Sequence, residues 1–138
     1  MNLVLDSSAT LAWIYSDETT DPIRRLFDAV GEEGAVVPTL WRLEIANSLT
    51  VAVRRARIEA SFRRAALTDL ALLDIATDDH TDVHAWGETL RLADIFRLTL
   101  YDAAYLELAQ RRNLPLATLD GELRAAAKSL GLGLMGMG

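Results

Sequence analysis

Short apolar runs alternate along this chain with longer segments of helical periodicity, and that alternation leaves few ways to fold. Residues 3–5, 35–37, 73–76 and 116–119 are brief and rich in Leu, Val, Ile and Ala, as buried strands are. Between them, residues 8–15, 22–30, 39–55, 59–73, 81–98, 99–111 and 122–130 read as helices. Thr20 or Asp21 before Pro22 marks one helix start, and Asn113-Leu114-Pro115 marks a stop. Strands separated by helices pair in parallel, and the helices cover the sheet. The pattern predicts one α/β domain over residues 1–138, with a small edge strand at 132–135.

A chain of 138 residues buries roughly two-thirds of its unfolded surface and needs no disulfide or zinc to hold a core. With no cysteine, thiolate catalysis, cysteine-ligated zinc and iron-sulfur clusters are excluded, and nothing marks an oxidising compartment. The start, Met1-Asn2-Leu3-Val4-Leu5-Asp6, lacks a basic segment and a long apolar run, so a cytoplasmic protein with no membrane span is expected. The net charge of -6 weighs against a polyanionic partner, yet Arg54, Arg55, Arg57, Arg63 and Arg64 gather in one stretch. That cluster reads either as a solvated helix face or as a surface for RNA or a partner protein.

Four acids stand where acid is costly. Asp6 ends the first apolar run, Glu44 interrupts the apolar helix after the second, Asp102 opens the helix at 99–111, and Asp120 follows the last strand. Each has a structural explanation alone: Asp6 or Ser7 as the first helix cap, Asp102 in a capping box with Thr99, Asp120 as the last helix cap, Glu44 as a solvent-facing residue. Together they share the carboxyl edge of a parallel sheet, where such folds bind ligands. Converging carboxylates repel one another unless a cation joins them, and an all-oxygen set suits Mg2+ or Mn2+. Phosphodiester hydrolysis is the chemistry such a site supports. Ser7, Ser8 and Thr118 stand beside the acids as supporting hydroxyls or as caps.

Leu5-Asp6-Ser7-Ser8, the stretch Pro38-Thr39-Leu40-Trp41-Arg42-Leu43-Glu44, Leu100-Tyr101-Asp102-Ala103-Ala104-Tyr105 and Ala117-Thr118-Leu119-Asp120 resemble, in order, the four motifs of PIN-domain proteins, with the VapC-type toxins most similar. The resemblance implies a three-layer α/β/α fold with a central parallel sheet of four to five strands. It implies an endoribonuclease dependent on Mg2+ or Mn2+, with Asp6, Glu44, Asp102 and Asp120 as catalytic and metal residues. It also implies a homodimer restrained by a cognate VapB-type antitoxin. Some relatives carry a further acid after the last motif; here Gly121 and then Glu122 follow, which leaves one metal or two open.

Other patterns lead elsewhere. Residues 131–136 satisfy a dinucleotide-binding glycine pattern, but no room for a helix follows before Gly138. His80 and His84 have zinc-like spacing without the glutamate of the known motif, and Asp79 or Thr81 reads as a cap there. Trp13, Trp41, Phe62, Trp86 and Phe96 are core candidates, one or two of them free to line a partner groove. A haloacid-dehalogenase-type phosphatase would need a second Asp where Ser8 stands. The reading from a different class is a catalytically silent PIN-like module that binds RNA or protein.

Overall fold

The computed structural model describes residues 2–138 and has five strands in the order β3-β2-β1-β4-β5, every pairing parallel. They are β1 (Val4–Leu5), β2 (Ala35–Val37), β3 (Ile75–Thr77), β4 (Leu116–Ala117) and β5 (Leu134–Met135). Eight helices connect and flank them: α1 (Ser7–Ile14), α2 (Asp21–Glu33), α3 (Trp41–Arg54), α4 (Ala60–Ala71), α5 (Thr81–Ala85), α6 (Glu88–Phe96), α7 (Leu100–Arg112) and α8 (Gly121–Ser129). A short 3-10 turn, Ser16–Glu18, follows α1.

Every side chain of β1, β2 and β4 is buried, as expected for central parallel strands covered on both faces. Leu3, Leu5, Val36 and Leu116 meet Ile23, Leu26, Ile45, Leu49, Leu106 and Leu123 from the helices in one core. Helix α2 starts as its sequence demands: the Thr20 side chain accepts from the Ile23 amide at 3.3 Å, with Pro22 in the first turn. It ends at Gly34, whose φ of 79° is in the range that favours glycine, and a Cβ there would lie 2.9 Å from the Asp74 carbonyl oxygen. Helix α7 ends at Asn113, which takes φ 52°.

The chain departs from its sequence pattern in four places. The third strand is Ile75–Thr77 rather than 73–76, because Leu72 and Leu73 close the end of α4. The helix expected over 81–98 is two, α5 and α6, broken at Trp86 and Gly87, where glycine is a poor helix former. The helix expected from residue 39 begins at Trp41, after a turn at Thr39 and Leu40. Of the aromatic core candidates, Trp41 is buried, Trp13 stacks on Phe27 with centroids 4.5 Å apart, and Phe96 packs at the core margin. Phe62 is exposed, and Trp86 is 94% exposed.

The strand order places the functional edge. Chain direction runs outward from β1 through β2 to β3, then returns to the other side of β1 for β4 and β5. The gap between the carboxyl ends of β1 and β4 is therefore the switch point, where no connection covers the sheet edge. Asp6 follows β1 and Thr118 follows β4. Residues 131–136 contain β5 at the sheet margin, and no helix follows it among the described residues.

Candidate metal centre

Asp6 is 3% exposed and lies one residue past β1, where its amide donates to the Ala117 carbonyl at 2.9 Å. It occupies the cap position of α1, but its carboxylate makes no regular capping bond. Instead Asp6 Oδ2 accepts from Ser8 Oγ and from Thr118 Oγ1, each at 2.7 Å. Both hydroxyls receive in turn: Ser8 Oγ accepts from the Leu119 amide at 3.0 Å and Thr118 Oγ1 from the Asp120 amide at 3.1 Å. Two hydroxyls thus converge on one carboxylate oxygen, and they lie 3.2 Å from each other. Burial pushes the Asp6 pKa up, and the two hydroxyls, with weaker help from the Ser7 and Ser8 amides, oppose it. Ser7 Oγ lies 3.5 Å from Asp6 Oδ1, a loose contact.

Glu44 projects from the first turn of α3 and is half-buried. Its Oε1 accepts from the Tyr105 hydroxyl at 2.5 Å, across 61 residues of sequence. Burial raises its pKa, as does the Asp6 charge to a smaller degree, while the Tyr105 and Ser7 hydroxyls favour the carboxylate. Tyr105, fully buried, is pushed far above the ordinary phenol range by burial and by Glu44, so its hydroxyl remains a donor. Tyr105 lies inside the third motif, where the sequence alone assigns it no role. Its place one turn after Asp102 on the same helix was the available signal.

Asp102 forms half of the expected capping box. Its amide donates to Thr99 Oγ1 at 3.1 Å, but its carboxylate does not return a bond to the Thr99 amide and accepts no hydrogen bond from any described residue. Its pKa is pushed up to about 6, first by burial and then by Asp6, Asp120, Glu44 and Glu122. Asp120 caps α8 as expected, with Oδ1 accepting from the Leu123 amide at 2.9 Å. Glu122, which follows Gly121 after the last motif, stands close enough to act on Asp102.

No Lys or Arg among the described residues forms an ion pair with these acids. Arg124, on α8 after Asp120, donates instead to the carbonyls of Thr118 and Met135 at 2.7 and 3.1 Å. Among the described residues no three of the acids present oxygens within 4.8 Å of one another, so the cluster is open rather than a closed cage. An open set of carboxylates fits a hard divalent ion that retains several waters. The tighter group Asp78, Asp79 and His80 is a different matter. Asp78 is held by Arg111 at 2.7 Å, while Asp79 and His80 are exposed. His80 precedes α5 and His84 lies within it, so the pair does not share one helix face, and Asp78 rather than Asp79 accepts from the His80 amide, at 3.3 Å.

The five clustered arginines lie apart from this centre. Arg57 pairs with Glu18 at 2.6 Å and lies 3.9 Å over the Tyr15 ring, and Arg63 donates to Thr50 at 3.2 Å. Arg54, Arg55 and Arg64 are exposed at the end of α3 and on α4.

Comparison with known proteins gives a consistent placement. A family model described as PIN domain matches residues 3–129. The chain is 29% identical over 123 residues to a protein named Ribonuclease VapC3 from Pyrobaculum aerophilum, covering 89% of this chain and 92% of that protein. A crystal structure of PAE2754 from Pyrobaculum aerophilum matches with a TM-score of 0.69 and 27% identity, over 91% of this chain and 86% of that one.

Proposed function

The chain belongs to the PIN-domain family, and from that premise we propose that it is a divalent-metal-dependent endoribonuclease, the toxin of a VapBC-type pair. The observation that carries this reading is Asp102: a carboxylate without a hydrogen-bonding partner, lifted to a pKa of about 6 by burial and by the surrounding acids. A fold gains nothing from such a group, whereas a cation relieves it. Asp6, Glu44, Asp102 and Asp120 would hold Mg2+ or Mn2+. When bound, such an ion lowers the pKa of a water and stabilises charge on an attacked phosphate.

The chain's own residues prepare this chemistry. Ser8 and Thr118 hold Asp6 at one oxygen, and the cap at α8 orients Asp120 through Oδ1. The N-terminal ends of α7 and α8, where Asp102 and Asp120 sit, would add positive potential toward a bound phosphate. RNA would reach the site as an unstacked strand, with Arg54, Arg55, Arg57, Arg63 and Arg64 as contacts for RNA or for a VapB-type antitoxin. We further propose that residues 1–138 act as one cytoplasmic domain and pair as a homodimer. No helix among the described residues is long and apolar enough to cross a membrane.

The test is cleavage of single-stranded RNA by wild type, Asp6→Asn and Asp102→Asn with Mg2+, with Mn2+ and with chelator. Cleavage that needs the metal and is lost in both variants is the expected result. Metal-independent cleavage overturns the mechanism, and a wild type that binds RNA but cuts none leaves a silent binding module. Relief of toxicity by a small adjacent open reading frame tests the antitoxin separately.

A further inference from the structure

The Tyr105 hydroxyl is an expensive way to fill the core. Tyr105 is 0% exposed, among the largest fully buried side chains of the molecule, and a phenylalanine would supply the same ring without a polar group to satisfy. Its hydroxyl finds its partner outside the core proper, on Glu44 Oε1 at 2.5 Å. Glu44 is itself half-buried on another helix, α3. Tyr105 and Asp102 are both on α7, three residues apart, and so share one face of that helix. One helix thus presents an acid to the centre and, a turn later, the donor that holds a second acid from elsewhere in the chain.

A long glutamate has three side-chain torsions to fix, and ordering them costs about 1–2 kcal/mol. Asp6 has two hydroxyls for this task and Asp120 has a helix amide, whereas Glu44 has Tyr105, with the Ser7 hydroxyl nearby. A carboxylate that gives one oxygen to a fixed donor has the other to offer to an ion.

We infer that Tyr105 is a positioning residue for the metal centre: its hydroxyl holds Glu44 by Oε1 and so fixes the carboxylate for the ion. This rests on the metal-nuclease reading. It adds a residue to that site and assigns it action through Glu44 rather than contact with metal or RNA. Tyr105 is buried and its hydroxyl is already given to Glu44, so neither ligand has a route to it.

The experiment measures Mn2+ affinity by electron paramagnetic resonance, without RNA, for wild type, Tyr105→Phe, Glu44→Gln and the double variant. Leu108→Ala, a core truncation on the same helix, is the control for general loosening. Tyr105→Phe should weaken Mn2+ binding by about 10-fold or more, the range for removing a group that orients a ligand. In the Glu44→Gln background the same substitution should change nothing further, because the residue through which it acts is already disabled. Unchanged affinity in Tyr105→Phe overturns the inference. So does an effect that persists in the Glu44→Gln background, or one that Leu108→Ala reproduces in folded protein. If wild type binds no Mn2+, the metal reading itself fails and the inference falls with it, an outcome distinct from the others.

Discussion

Thr118 Oγ1 donates to Asp6 Oδ2 at 2.7 Å, joining residues 112 apart at the carboxyl ends of two neighbouring strands. The bond exists because β1 and β4 pair in parallel, so the residues following them emerge side by side. Thr118→Val keeps the shape but removes the donor to Asp6 and the acceptor for the Asp120 amide. We expect a loss of about 1–3 kcal/mol in urea unfolding and a fall of about 10- to 100-fold in metal-dependent cleavage. Thr118→Ser should recover most of both. Cleavage at the wild-type rate in the valine variant would remove Thr118 from the site.

Asp102 links the site to acid. Its folded-state pKa is about 6, against 3.8 for the unperturbed group. As pH rises through this window the unfolded chain releases its proton first, so the group's contribution turns unfavourable between these values. The penalty is absent below the lower value and complete above the upper one. Asp6 and Glu44 are also raised and add in the same direction. Metal-free protein should therefore lose stability between pH 4 and about 6.5, and Asp102→Asn should remove about 1 kcal/mol of that loss, after discounting for partial exposure. Divalent metal should reverse the trend, because it binds the deprotonated acids. Urea midpoints across pH, with and without Mg2+, decide both points.

The parallel sheet was legible because central strands buried on both faces must be written in short apolar runs, as Leu3 to Leu5 and Ala35 to Val37 are. The four acids were legible because strand ends and helix starts are local positions, and parallel pairing brings them to one edge. What could not be read are relations set by tertiary distance. Nothing near Asp6 announces that Thr118, 112 residues on, is one of its donors, and nothing near Glu44 points to Tyr105. Asp78 stands in a run of acids with no cation near it in sequence, yet Arg111, 33 residues on, draws it under the surface. Trp86 failed for the opposite reason: its side chain suits a core, but the break at Gly87 turns it outward.

Arg111 is the one cation that serves two buried carboxylates, Asp78 at 2.7 Å and Glu107 at 2.8 Å, among the described residues. Asp78 is held below its usual pKa chiefly by the hydrogen bonds from Arg111. Arg111→Met leaves both acids buried without a counter-charge and should cost about 3–5 kcal/mol. Adding Asp78→Asn and Glu107→Gln should recover much of this, since neutral amides are easier to bury. Neither acid belongs to the metal centre, so cleavage per folded molecule should stay at the wild-type level. A mild effect in urea unfolding would show that solvent reaches the acids freely.

Trp86 is 94% exposed, with Val83 and Tyr101 also largely exposed. Trp86 and Tyr101 border an apolar groove of about 340 Å3 with Leu40, Leu90, Leu100 and Ala104. A projecting ring beside a groove on one face is the arrangement a twofold contact can use twice, each copy supplying the ring to the other. If the homodimer forms here, Trp86→Glu should weaken self-association by about 30-fold, as expected for a central tryptophan anchor, while folding stability changes by less than about 0.5 kcal/mol. Sedimentation equilibrium measures the first and urea unfolding the second. Tyr101 adjoins Asp102, so pairing through this face would bring two metal centres near one another. Cleavage of long RNA should then fall in Trp86→Glu while Mn2+ affinity per chain is retained. A Trp86→Glu protein that still sediments as a dimer would place the interface elsewhere, and one whose Mn2+ affinity also drops would mean that this face supports the centre directly.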